Sequence, residues 1–369
     1  MLNSENIREL VKQTYVVHVL QTFGDEGRAA LDRLHDGIVQ FYSFCPPDLL
    51  NHPLTICSPL RATPNDPLSA KFGTPIFCAS AKLAAIEVEK NTATSGCFVE
   101  LCTDGTFRVI SMTDAEIDFD EFGGCSIIYR FENDTDRVMF EGYDAFIPKV
   151  HSSLKSSFAR PTYSSLEEVF ASYNETAADC QCRILASVWE GNVDGPRLVL
   201  VNRPEAIMRN SLSQALSMML GGEASVRPEQ NVDELKPVDI RVEWHGSDAS
   251  ALIEIKWVGR STAKPTTDAG SPFRDYGVAR AREGSKQLAD YMDRNLKSDR
   301  RIKPKGYHVV FDARRNNVGG PTDRVTKTDG LHYALEEIDY DPNHFEIRDD
   351  FGPYVRFFLR PRESYFKAA

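Results

Sequence analysis

Apolar positions divide the chain into stretches of different period. From Ser4 to Tyr42, Ile7, Leu10, Val11, Leu20, Leu31, Leu34 and Ile38 recur near helical spacing, with an interruption at Gly24 to Gly27. Residues 45–75 are rich in Pro and Asn and read as irregular connection. From Thr74 to Lys149 the period shortens. CFVELCTDGTFRVISM and CSIIYRFENDTDRVMFEGY read as strand pairs turning at Asp104-Gly105 and Asn133-Asp134. SSLEEVFASY then predicts a helix within 152–179.

The pattern changes near residue 180. Ile184 to Trp189 and Leu198 to Val201 read as strands, and a helix runs from Arg203 to Leu220, ending at Gly221-Gly222. Two strands follow, Val238 to Trp244 and Ala251 to Val258, separated by the turn HGSDAS. A Gly/Pro/Thr-rich loop (259–277) leads to a helix from Val278 to Leu296 and a strand from Tyr307. A last strand pair is expected near Phe345 and near Tyr354 to Leu359. We divide the chain into an α+β amino-terminal domain, 1–180, and a second domain, 181–369.

Strand alternation decides where chemistry can gather. Leu252, Glu254 and Lys256 share one face, and Ile253, Ile255 and Trp257 the other. In the preceding strand Val238, Ile240, Val242 and Trp244 take the apolar face, leaving Asp239 and Arg241 with the acids. A turn about residues 247 and 248 places Asp239 opposite Lys256 and diagonal to Glu254, within about 7 Å. Two carboxylates and an ammonium then converge. Mg²⁺ takes oxygen ligands, usually one or two carboxylates with water and phosphate oxygens. Such an ion polarises a phosphoryl group and acidifies bound water, and a neighbouring lysine orients that water or offsets developing charge. The Ile255 carbonyl is a further candidate ligand, and Mn²⁺ a possible substitute ion.

Pro237-Val238-Asp239 followed by Glu254-Ile255-Lys256 resembles the PD-(D/E)xK nuclease superfamily. Gln287 and Tyr291, four apart on a helix, match the QxxxY element of its RecB-like and lambda-exonuclease-like branch. The likeness spans about residues 200–315; Val238 between proline and aspartate departs from the motif. It implies an α/β fold: a restriction-endonuclease-like mixed sheet flanked by helices in the order helix, strand, strand, helix, strand. It implies a Mg²⁺-dependent DNA nuclease, with Asp239 and Glu254 on metal, Lys256 assisting water, and Gln287 and Tyr291 supporting the site. An effector of bacterial restriction or antiphage defence fits a nuclease carrying a large unrelated extension. An inactive nuclease-like nucleic-acid-binding or scaffold protein, an RNA-cleaving nuclease, and a structural protein with an incidental hairpin are the alternatives.

Glu205 faces with Met208, Leu212, Ala215, Leu216 and Met219. Two readings stay open: a capping box with Asn202, or the metal-site glutamate that the resemblance implies on the first core helix. Glu229 competes for the second role. His245 is expected to be a turn residue.

Charge sharpens this reading. The 369 residues carry 43 Lys/Arg and 54 Asp/Glu, a formal −11, which argues against indiscriminate coating of nucleic acid. Yet residues 256–305 carry +7, leaving −18 elsewhere. Arg260, Lys264, Arg274, Arg280, Arg282, Lys286 and Arg294 are therefore candidate contacts to a DNA backbone. Tyr276 could stack on a base, while Trp257 is expected in the core. The acidic amino-terminal half is a candidate for recognising substrate, binding a protein partner or shielding the basic face. Eight cysteines without zinc-finger spacing, including the pair Cys180 and Cys182, read as reduced cytoplasmic thiols. No apolar run reaches membrane-spanning length, and no secretory signal opens the chain.

Overall fold

A computed structural model describes residues 4–61, 73–90, 96–112, 122–149, 154–191, 194–233, 236–263, 272–295 and 304–367, with side chains at 4–14, 230–233, 236–237 and 295 excluded. The chain is a mixed α/β protein that divides into two compact units. One holds residues 1–165 with 246–248, the other 166–245 with 249–369.

The first unit opens with α1 (Ser4–Phe44), which bends at Gly24, inside the expected interruption. A seven-stranded sheet follows: β1 (Leu54–Pro59), β2 (Ile76–Cys78), β3 (Gly96–Leu101), β4 (Phe107–Met112), β5 (Ser126–Glu132), β6 (Thr135–Phe140) and β7 (Tyr143–Ile147). Its order is β2-β4-β3-β1-β5-β6-β7, and β1 runs parallel to β3. The hairpins turn where expected, with positive φ at Gly105, Asn133 and Asp134. Helix α2 (Ala81–Glu89), capped by the Ser80 side chain, and the later part of α1 bury one sheet face through Leu34, Ile38, Val88, Ile56 and Val99.

This core contains a polar knot. The Tyr129 hydroxyl donates to Asp136 at 2.6 Å and lies 2.7 Å from the Tyr42 hydroxyl, while the Ser157 N–H donates to the other Asp136 oxygen at 2.6 Å. Burial pushes the Asp136 carboxyl upward despite these donors. Asp136→Ala strips the buried Ser157 N–H of its acceptor and the Tyr129 hydroxyl of its carboxylate, so we expect a loss of roughly 1–3 kcal/mol, read as a lower urea midpoint.

In the second unit α3 (Tyr163–Ala178, from Leu166 onward) packs through Phe170 and Tyr173 on Tyr307, Phe311 and Phe357. The compact units thus part near the start of this helix, whereas residue 180, the division placed from sequence, follows its end. Residues 184–189 are not a strand. They begin with the short helix α4 (Arg183–Ala186), and only Trp189 bridges Leu200. Helix α5 (Glu205–Leu220) stops at Gly221, whose φ of 58° a side chain would strain.

The second sheet contains β8 (Ala224–Asp233), β9 (Lys236–Trp244), β10 (Ser250–Thr262), β11 (Phe273–Tyr276), β12 (Lys305–Ala313) and β13 (Val355–Phe358). Its order is β13-β12-β10-β9-β8, with β11 returning along the end of β10. β10, β12 and β13 are parallel; β8, β9 and β11 join antiparallel. Both β8 and β11 add to the expected order. β8 carries Arg, Glu, Gln and Asp at a sheet edge, so it lacks the apolar alternation that marks a strand. Helix α6 (Val278–Asn295) crosses from β11 to β12 and buries Leu288, Tyr291 and Met292 with Leu252. Two short helices, α7 (Lys327–Gly330) and α8 (His344–Ile347), precede β13; Phe345 is therefore helical, not a strand residue. Strand β10 packs against α5 and α6 and is buried almost throughout.

Candidate active site

The antiparallel β9–β10 ladder pairs Glu243 with Ser250, Val242 with Ala251, Arg241 with Leu252 and Ile240 with Ile253, and then stops. Continued, this register sets Asp239 opposite Glu254, not Lys256. The hairpin is two residues out from the expected turn, and because the slip is even the paired side chains keep their faces; Val238, beyond the last pair, packs instead with Leu252 and α6. Beyond Ile240 the strands splay. Asp239 Oδ2 spans the opening and accepts the Ile255 N–H at 2.8 Å, replacing the missing ladder bond. A strand residue turns its N–H and C=O to the same side, so the Ile255 carbonyl opens on that gap too.

Glu254 and Lys256 stand on the face covered by α6. Lys256 Nζ donates to Glu254 Oε1, while Glu254 Oε2 is buried without a hydrogen-bond partner. Asp239, Glu254 and Lys256 are 8%, 1% and 8% exposed, so their charges act through little water. Burial, and then the Asp239 charge, push the Glu254 carboxyl up to about 8. Burial also raises Asp239 against its bond from Ile255. Burial alone would lower the Lys256 ammonium, but the charge and hydrogen bond of Glu254 outweigh it and hold it above the ordinary lysine range. Two buried acids held above their usual range, one with an orphaned oxygen, and a carbonyl on the same gap form a donor set that fits a hard divalent cation. Among the described residues no three His, Cys, Asp or Glu side chains form a ready-made cluster.

The chain matches no protein-family model, no curated protein and no solved structure.

The remaining candidates fall into three groups. Gln287 and Tyr291 lie one turn apart on α6, and Gln287 Nε2 donates to the Tyr291 hydroxyl at 2.6 Å. The Tyr291 phenol is raised, first by burial and then by the Glu254 charge, which places the pair at the edge of the carboxylate field. Glu205 does not form a capping box. Pro204 takes the cap position and no side-chain bond caps α5. The Glu205 carboxylate instead accepts from Arg280 at 2.9 Å, and its charge acts on Asp239, Glu254 and Lys256. Glu229 is exposed and pairs with Arg209, whose other terminal nitrogen donates to Asp239 at 3.2 Å.

Among the cations, Arg280 lies over the Trp257 and Tyr276 rings, 5.0 and 4.9 Å from their centroids. Trp257 is buried, as expected of a core residue. Arg260 forms a bidentate pair with Asp275 at 2.7 and 2.8 Å, and Arg282 donates to the Asp339 carbonyl at 2.7 Å. Arg294 donates to the Asp290 carbonyl at 3.1 Å. Arg274 and Lys286 are exposed, and Lys264 lies outside the described residues. His245 sits in the hairpin turn, its Nδ1 2.8 Å from the Gly222 carbonyl, at the far end of β9 from Asp239.

Three residues escaped the sequence reading. Arg209 is one turn after Glu205, and that spacing was its only signal. His308 is a lone imidazole in the apolar run of β12. Its Nδ1–H donates to the Glu254 carbonyl at 3.3 Å, and burial pushes its pKa down to about 4. Gly284 lies directly over the site: a Cβ there would come 2.4 Å from Lys256 Cγ and 2.6 Å from His308 Cε1. Gly284→Ala must move α6 away from β10. We expect a cost of about 1–3 kcal/mol, measured as a lowered urea midpoint.

Proposed function

We propose that the second unit is a divalent-metal-dependent phosphodiesterase acting on DNA, with a restriction-endonuclease-like core of the PD-(D/E)xK kind. The observation that carries this reading is the convergence of Asp239, Glu254, Lys256 and the Ile255 carbonyl at the point where β9 leaves β10. The helix–β8–β9–β10–β11–helix–β12 succession and the Gln287–Tyr291 pair support it.

Asp239, Glu254 and the Ile255 carbonyl would hold Mg²⁺ or Mn²⁺, which when bound polarises the phosphoryl group and acidifies water. Arg209 and the Ile255 N–H fix the Asp239 carboxylate in the gap. The Lys256 ammonium is held protonated by Glu254, so it acts as hydrogen-bond donor and positive charge rather than as a base. It orients the attacking water and offsets charge on the phosphoryl oxygens. Tyr291, tied by Gln287, closes the α6 side of the site. We assign recognition of substrate or of a protein partner to the first unit, and an effector role in restriction or antiphage defence to the whole chain.

The test is cleavage of circular, linear and single-stranded DNA with Mg²⁺, with Mn²⁺ and with a chelator, run beside an RNA of the same sequence. Metal-dependent loss of DNA supports the proposal. Cleavage of RNA alone moves the substrate to ribonucleic acid, and no cleavage of either leaves a binding module.

A further inference from the structure

The carboxyl ends of β10 and β12 enclose a cavity of about 430 Å³ that opens to solvent. It lies apart from the acids. Gly259, on its wall, is three residues beyond Lys256, about 10 Å along the strand. The volume suits one small organic ligand, and the lining gives that ligand's chemistry.

Two phenol rings contribute, Tyr276 and Tyr333. The Arg314 guanidinium lies over Tyr333, 4.5 Å from its centroid. Asp312 and Glu336 hold Arg314 in that plane, with bonds of 2.8 Å from each terminal nitrogen. Asp275 enters the cavity as a carboxylate already neutralised by Arg260. Arg315 differs from its neighbours. Its terminal nitrogens donate to the carbonyls of Arg314 and Leu359, and its Nε is buried without a hydrogen-bond partner. The side-chain amide of Asn316 adds paired donor and acceptor capacity.

Each component suits one part of a nucleotide. Flat rings and a stacked guanidinium accept the face of a base. A carboxamide can read a base edge in two bonds, and three arginines against one aspartate on the lining give a phosphate a net positive wall. A sugar without phosphate would not call for the cations, nor an acidic peptide for the stacked ring. We propose that this cavity is a nucleotide-binding site, taking one base between Tyr276 and the Arg314–Tyr333 stack. The nucleotide can be free, or belong to a strand whose backbone lies at the acids, a separation of about three base-pair rises. The proposal stands apart from hydrolysis, since binding here needs no metal.

The full chain in chelator is titrated with dAMP and dCMP, and separately with a short single strand carrying 2-aminopurine, followed by fluorescence. The same strand with an abasic position is the control. Saturable binding of a mononucleotide identifies a free-nucleotide site. Quenching by the strand, weakened by the abasic control, identifies a base of bound nucleic acid. In either case Tyr333→Ala and Asn316→Ala weaken binding roughly ten-fold or more, with melting temperatures near wild type. Both titrations run in chelator and read binding rather than cleavage, so a failed nuclease assay and a failed pocket are distinguishable. Binding of neither probe, or equal binding by wild type and both pocket variants, overturns the proposal.

Discussion

Lys256→Met and Asp239→Asn each reduce metal-dependent DNA cleavage on the order of 10³-fold, by different routes. Among the described residues Lys256 is the ammonium paired to the buried Glu254, so its removal takes away a donor and a charge while both acids remain. Mn²⁺ binding by calorimetry then persists in Lys256→Met. Asp239→Asn removes one of the two carboxylates at the gap, and Mn²⁺ binding is lost with activity. The amide oxygen can still accept the Ile255 N–H, so the splayed hairpin and the melting temperature change little. Wild-type cleavage by Lys256→Met, or undiminished Mn²⁺ binding by Asp239→Asn, would remove the basis of the catalytic assignment.

The second large effect is a gain of stability. On the proposed function Glu254→Gln abolishes cleavage, yet it raises the melting temperature of the metal-free protein at pH 8.5. The Glu254 carboxyl in the folded chain is pushed from its ordinary 4.5 up to about 8. A carboxyl that holds its proton more tightly when folded contributes stability fully below pH 4.5. That contribution is lost as pH rises through about 8, because the unfolded chain has already released the proton. Each unit of difference is about 1.4 kcal/mol, so the alkaline loss is on the order of several kcal/mol. Glutamine carries no charge and escapes it, while its amide oxygen still accepts from the Lys256 ammonium. His308 sets the opposite limb. Its folded pKa of about 4 lies below the ordinary 6.5, so its contribution is present above pH 6.5 and fades as pH falls toward 4. Melting temperature plotted against pH in chelator should therefore keep its acid decline in Glu254→Gln and lose its alkaline one. Mn²⁺ at pH 8.5 should raise the wild-type melting temperature and leave the variant unmoved. A variant that melts below wild type at pH 8.5 would show that Glu254 is not the strained carboxyl.

These effects depend on features of unequal legibility in the chain. The helix of Gln287 and Tyr291, the hairpin turns at Asp104-Gly105 and Asn133-Asp134, and the shared face of Glu254 and Lys256 were all readable from periodicity and turn chemistry. Strands β8 and β11 were not. Their residues are mostly polar, and they are held by ladder bonds to β9 and β10 rather than by apolar faces of their own. The segment after Cys182 misled in the other direction: its short apolar run lacks a pairing partner along most of its length and coils instead.

From its own pattern, the chain determined which residues share a face with Lys256, because a strand has a period of two and any even slip preserves it. Register and the loss of pairing beyond Ile240 belong to the tertiary structure. There the folding of the turn sets Asp239 against Glu254, and a side-chain oxygen takes over a backbone bond to Ile255. The same level decided that Glu205 meets Arg280 and that Gly284 lets α6 settle on Lys256. Those contacts join residues distant in sequence, and no local periodicity encodes the distance between them.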